Sequence, residues 1–249
     1  MPGRSRDRSA VRPRGRDDLP FPYNPAMEAL NNIQLLAVLA LPVVLAITVH
    51  EAAHGWVANR LGDKTALMLG RVTFNPLKHI DPIGTLLVPA ATFLLAGILF
   101  GWAKPVPVNA RNLHDPRRDM ALVAVAGPAS NLAMAALWGL GIHIGIGLLS
   151  TSEWIALPLV YMGAAGVLIN VFLMILNLLP LLPLDGGRVL SALLPPRWSA
   201  AYSQLEPYGI FILLALLLTG FLSAVLLPLV VGTLGLLPGG GIVRELFFK

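Results

Sequence analysis

The chain of 249 residues contains no cysteine. That absence excludes a disulfide framework, a thiolate metal ligand and a cysteine nucleophile, so any metal must be held by His, Asp or Glu. Charge is scarce as well: Asp, Glu, Lys and Arg make up 12% of the residues against 56% hydrophobic, and mean hydropathy is +0.73. So small a charged fraction does not suit an ordinary soluble domain. Five stretches, 29–49, 83–103, 120–152, 154–184 and 207–243, lack charged side chains altogether. Each reaches the roughly 20 residues that cross a bilayer as a helix. The expected fold class is an all-α polytopic membrane protein.

The net charge of +5 would point to nucleic acid in a soluble protein, but here the basic residues sit in loops and tails beside apolar segments. Anionic headgroups of the lipid bilayer are the nearer partner, and no nucleic-acid partner is expected. Residues 1–28 carry six arginines among Pro, Gly, Ser and Asp, with too little apolar content to fold, and read as a disordered basic tail. The apolar run after them lacks an A-x-A exit and is expected to stay rather than be cleaved as a signal peptide.

That first run closes on His50-Glu51-Ala52-Ala53-His54. An ionised group at bilayer depth costs roughly 2.5–3.5 kcal/mol, so a glutamate there is a functional hypothesis by default. On a helix, i, i+4 spacing sets both imidazoles on one face, able to bind one ion with Glu51 beside them, as in a zinc hydrolase. A hydrolytic zinc site takes three protein ligands and keeps a position open. The best third candidate is Asp185, the one other carboxylate in an apolar context, at the Pro/Gly-broken end of the fourth apolar stretch. Broken backbone at membrane depth is tolerated where it lines a cavity. His79 and His114 read as interfacial loop residues and His143 as a helix-end residue that snorkels or hydrogen-bonds.

Along the chain, a first helix is expected over 32–59, ended by Gly62-Asp63. Residues 65–80, rich in β-branched and aromatic side chains around Gly70-Arg71, predict a short β-hairpin at the membrane edge. Asp81-Pro82 reads as N-cap and N1 of the next helix, and Lys104-Pro105-Val106-Pro107-Val108-Asn109 as an extended, Pro-stiffened loop. Asp115-Pro116 launches a long helix containing Gly127-Pro128-Ala129-Ser130-Asn131, whose small residues allow close contact. After a link over 150–158 the fourth helix ends at Asn177 and the Pro/Gly run to Gly187. A last apolar segment, 208–237, is interrupted by Gly220 and Pro228.

The two metal-binding segments both lie toward the C-terminal ends of their helices, so those ends must share one side of the membrane. A full crossing by 83–103 would give five spans and oppose them, whereas entry and return restores parity. Pro89, Gly97 and Gly101 favour the latter, giving four spans plus a re-entrant segment.

His50-Glu51-x-x-His54, Gly127-Pro128-x-x-Asn131 and Asn177-x-x-Pro180-x-x-x-x-Asp185-Gly186 together resemble the site-2 protease family of intramembrane zinc metalloproteases, peptidase family M50. The similarity covers about residues 32–195, and GRVTFNPLKHIDPIGT and FGWAKPVPVN resemble its compact branch without a PDZ domain. The resemblance implies one Zn2+ per chain on His50, His54 and Asp185, Glu51 as general base, and Asn177 beside the active site. Asn177 or Asn131 could hydrogen-bond the oxyanion or the substrate backbone, Asn177 having the better claim, and the alternative for each is an interhelical hydrogen bond. The implied reaction is peptide hydrolysis in or near transmembrane segments of membrane-anchored protein substrates, as in regulated intramembrane proteolysis. The implied organisation is a tail at 1–28, a metalloprotease core at 29–206, and a C-terminal transmembrane helix and tail at 207–249. A metal transporter or zinc sensor is the competing class, but transport would want a second site or a polar file across the bilayer. The protein is expected in the cell (inner or plasma) membrane. In the re-entrant arrangement ten of the 18 Lys and Arg fall on the catalytic side, which narrowly favours a site nearer the cytoplasmic face, whereas a full crossing would put the arginine tail inside with twelve against six.

Overall fold

The computed structural model describes residues 32–96 and 101–248. The chain divides into the units Met1–Leu36 and Ala37–Lys249. The described part of the first is helical backbone from Asn32, and the expected tail over 1–28 lies outside the described residues. The packed helices and the polar residues buried among them belong to the second.

Helix α1 (Asn32–Arg60) ends in a Schellman arrangement. The Asp63 amide donates to the Ala58 carbonyl, the Gly62 amide donates to Asn59, and Gly62 takes φ +110°, which a residue with a Cβ resists. Beyond it the expected hairpin does not form, and the described residues contain no strand. Thr65–Met68 is instead a single helical turn, α2, closed by amides of Gly70 and Arg71 donating back to Leu67 and Ala66. A tight turn at Pro76–Lys78 comes next, capped by the Asn75 side chain. The hairpin reading fails because strand propensity expresses fit to a pleated, half-buried surface. Here the backbone groups are satisfied within local turns, while Met68, Phe74 and Leu77 point outward.

Asp81 caps the next helix as expected, accepting from the Ile83 and Gly84 amides. A π-helical run, Pro82–Leu87, leads into α3 (Val88–Ala96). The Trp102 amide then donates to the Gly84 carbonyl at 3.0 Å and Thr85 Oγ1 donates to the Trp102 carbonyl. The stretch 83–103 thus begins and ends at one place, which a full crossing cannot do. That return of the chain is what the parity argument favours.

After the extended loop, Asp115 caps α4 (Pro116–Leu148), its carboxylate accepting from Arg117 and Arg118. A short link leads to α5 (Glu153–Asn177), so Pro158 lies inside that helix and not in the connection. Gly163 and Gly166 let α5 seat directly on Ile142 and Trp138 of α4, the small-residue packing that holds helices together in lipid. The chain then unwinds through Leu178–Leu184 before α6 (Asp185–Leu193) and α7 (Pro196–Ser203).

Over 207–249, where one transmembrane helix and a tail are expected, the described residues form three helices, α8 (Gly209–Leu218), α9 (Phe221–Leu234) and α10 (Gly240–Phe247). Gly220, at φ +75°, separates the first two, whereas Pro228 stays inside α9. Leu226, Val230 and Leu234 of α9 and Val243 of α10 bury themselves with Val167 and Val171 of α5.

Among the described residues, four helical stretches are long and apolar enough to cross a membrane: Val38–Arg60, Pro116–Leu148, Glu153–Asn177 and Pro196–Leu218. Their polarity is inverted relative to a soluble bundle. Leu122, Leu132, Leu137 and Ile144 of α4 face outward, while Thr48, His50, His54, Asn131 and Asn170 are buried. A hydrocarbon surround favours that distribution.

Candidate active site

Helix α1 projects His50 and His54 from one face toward α4, and both are buried. The approach is close because residue 127 has no side chain: a Cβ there would lie 2.4 Å from His54 Nε2 and 2.5 Å from His50 Cε1. Each imidazole is oriented from behind. His50 Nδ1 lies 2.6 Å from Asn131 Oδ1, and the Asn131 amide donates to Asn170 Oδ1 at 2.9 Å and to the Ala46 carbonyl. With its nitrogen so engaged, Asn131 presents oxygen to His50, which must donate from Nδ1. His54 Nδ1 lies 2.7 Å from the Val123 carbonyl, an acceptor only, so the same tautomer holds there. In the neutral imidazoles both Nε2 lone pairs are therefore free.

The unwinding of α5 places the third group. Asp185 opens α6, and the chain turns there against its own preceding loop so tightly that a Cβ on Gly186 would lie 2.2 Å from the Leu178 carbonyl oxygen. Asp185 Oδ2 comes within 3.3 Å of His50 Nε2 and 3.4 Å of His54 Nε2, and the two Nε2 atoms are 3.1 Å apart. That oxygen is buried without a hydrogen-bond partner. With both imidazoles neutral, three lone pairs converge there and repel one another unless a cation lies among them. Ligands about 2.0–2.1 Å from a tetrahedral ion stand about 3.4 Å apart, so the nitrogen and oxygen donors fit zinc in both identity and spacing. Among the described residues these three side chains form a group able to hold a metal ion.

They open onto a cavity of about 130 Å3 that Glu51, Val106 and Asn177 also line. Glu51 Oε2 accepts the Val106 amide at 2.8 Å, and the Asn177 amide donates back to the Leu173 carbonyl. The structure thus brings His50, Glu51, His54, Asn177 and Asp185 to one cavity. Asn131 lies behind His50 instead, as part of its support. His143 and His114 are exposed away from this cavity, and His79 is buried, its Nε2 toward the Thr73 carbonyl.

Sequence reasoning misses three contributors. Val123 and Val106 act through backbone atoms, which leave no mark in the sequence. Asn170 is detectable in principle, as a polar residue in an uncharged run two helical turns before Asn177.

The family model described as Peptidase family M50 matches residues 140–220, a span that includes Asn177 and Asp185. A Bacillus subtilis (strain 168) protein named "Putative zinc metalloprotease YwhC" is 39% identical over 205 residues, covering 79% of this chain and 87% of that protein. Proteins named "Putative zinc metalloprotease Rip2" from Mycolicibacterium smegmatis and Mycobacterium tuberculosis H37Rv are 31% and 30% identical, each across 72% of this chain and 66% of the relative. No solved structure gives a significant match. Identity at that level along most of the Bacillus protein carries the assignment: the chain belongs to peptidase family M50.

Proposed function

We propose that the protein is a zinc-dependent intramembrane endopeptidase cleaving membrane-anchored proteins in or near their transmembrane segments. The observation that carries this reading is the convergence of His50 Nε2, His54 Nε2 and the unpartnered Asp185 Oδ2 beside the Glu51 carboxylate. A zinc ion among those atoms supplies Lewis acidity toward a water molecule and a peptide carbonyl. His50 and His54 contribute neutral imidazoles held in the right tautomer by Asn131 and Val123. Glu51 accepts the proton of the attacking water as the new C–O bond forms, and returns it to the leaving amine as the peptide C–N bond then breaks. Asn177, on the cavity wall, is positioned to hydrogen-bond the developing oxyanion or the substrate backbone. A substrate helix must unwind to reach the site, because its amides are shielded by their own hydrogen bonds.

The bilayer is the protein's setting and the catalytic cavity opens nearer the cytoplasmic face of the cell membrane, a placement supported by the basic loops that share its side. The described residues offer one metal-holding cluster, which favours a hydrolase over a transporter or zinc sensor.

Reconstitution in lipid vesicles with a single-span reporter substrate tests the proposal. Cleavage should disappear with a zinc chelator and return with added zinc, and His54→Ala and Asp185→Ala should each lose the metal. Zinc retained at full occupancy by both variants would refute the ligand set.

A further inference from the structure

The Glu51 carboxylate is held by the extended loop that succeeds the re-entrant segment, and that loop is itself pegged in place. Its Lys104 and Pro105 carbonyls accept from the Arg71 guanidinium, at 2.7 and 3.3 Å. The Lys104 amide donates to the His79 carbonyl, and the Asn109 amide donates to Asp63 Oδ2 at 2.7 Å. Between these anchors, prolines 105 and 107 fix φ on either side of Val106. Val106 is buried and seats on α1 where residue 55 is glycine, a Cβ there falling 3.2 Å from Val106 Cγ1. The amide that reaches Glu51 is thus the rigid centre of a strap fastened at both ends.

Arg71 is unusual within this arrangement. It is 8% exposed, its acceptors are two neutral carbonyls, and its Nε is buried without a partner. No carboxylate pairs with it among the described residues. A buried, incompletely satisfied guanidinium is costly, and the carbonyls it grips immediately precede the amide that holds Glu51. A general base on three rotatable bonds must be kept within hydrogen-bond reach of its proton, and an ångström of misplacement can cost on the order of 100-fold.

We propose that Arg71 is a positioning residue for peptide hydrolysis: by pegging the Lys104 and Pro105 carbonyls it fixes the Val106 amide on one oxygen of Glu51, leaving the other oxygen to face the cavity. The proposal rests on Glu51 being the general base.

Arg71→Gln in vesicle-reconstituted protein should keep zinc at the wild-type ratio and lower kcat about 10- to 100-fold, with KM changed less than about twofold. Arg71→Lys, which retains a cationic donor, should recover part of the loss. Val106→Pro removes the donor while leaving Arg71 in place, and should lower kcat to a similar extent with zinc retained. In a Glu51→Gln background neither substitution should lower residual activity further, because base and support act as one unit. Wild-type kcat in Val106→Pro would overturn the proposal, even if Arg71→Gln fails to fold, since the amide would then not matter. So would an Arg71→Gln defect confined to KM, or one that persists in full in the Glu51→Gln background. Full cleavage by Glu51→Gln alone would instead show that the general-base assignment had failed, whatever the Arg71 variants do.

Discussion

Gly127→Ala should damage the metal site without touching a metal ligand. The added Cβ would sit 2.4 Å from His54 Nε2 and 2.5 Å from His50 Cε1, where ordinary contact begins at 3.4 Å. Relief therefore needs about 1 Å of movement, far into the repulsive wall of a non-bonded contact. The imidazoles cannot yield freely, because Asn131 and the Val123 carbonyl hold their Nδ1 atoms at 2.6 and 2.7 Å. Losing one such support typically lowers metal affinity about 10- to 100-fold, and losing both would approach the product of the two. If α4 moves instead, it drags both supports with it. Zinc affinity by competition with a chromogenic chelator should fall at least about tenfold, with cleavage falling in parallel. Gly141→Ala is the control on the same helix, since a Cβ there meets nothing within 4 Å and should gain roughly 0.5–1 kcal/mol of helix stability. Wild-type zinc affinity in Gly127→Ala would refute the close-packed geometry on which the ligand assignment depends.

Asn131→Leu removes the acceptor for His50 Nδ1 and should weaken zinc binding about 10- to 100-fold in the same competition assay, whereas a change under twofold would contradict its supporting role. Burial alone would raise the Asp63 carboxyl, but donors from Thr65, Asn112 and Asn109 hold it below its ordinary value. Its contribution is therefore complete above the unfolded value of about 4 and is lost as pH falls through the lower folded value. Asp63→Asn should consequently melt lower than wild type at neutral pH and show a shallower loss of Tm on acidification, and parallel curves would refute this. Because the chain has no cysteine, single cysteines at Lys104 and Arg188 can be labelled cleanly. Both should react from the same face of the membrane, and reaction from opposite faces would exclude the re-entrant segment.

Much of the site is legible in the sequence because its constraints are local or unusually sparse. The pairing of His50 with His54 comes from helical spacing alone, and Asp185 stands out because the apolar segments offer so few other carboxylates. Parity between those groups anticipates the return of the chain that the hydrogen bond from Trp102 to Gly84 closes. Other features depend on information that a linear reading lacks. Whether Asn131 faces the cavity or the back of His50 is set by the rotation of α4 about its axis, which the even apolarity of the helix leaves undetermined. Residues 65–80 have strand composition but find no partner strand among the described residues, and their backbone groups close into turns. The contributions of Val123 and Val106 come from a carbonyl and an amide that any residue could offer, proline excepted at Val106. Along 207–243 the missing charges mark membrane residence but cannot distinguish one long helix from several packed against α5, and Gly220 at φ +75° decides between them.

The central claim is that Glu51 works as a base beside a zinc ion held by His50, His54 and Asp185. Glu51→Gln tests it most directly, with zinc content and cleavage of a membrane-anchored substrate measured on the same preparation. The account predicts zinc per chain equal to wild type and cleavage reduced by at least about 100-fold, within the usual range for a general base. Full cleavage with zinc bound would contradict it.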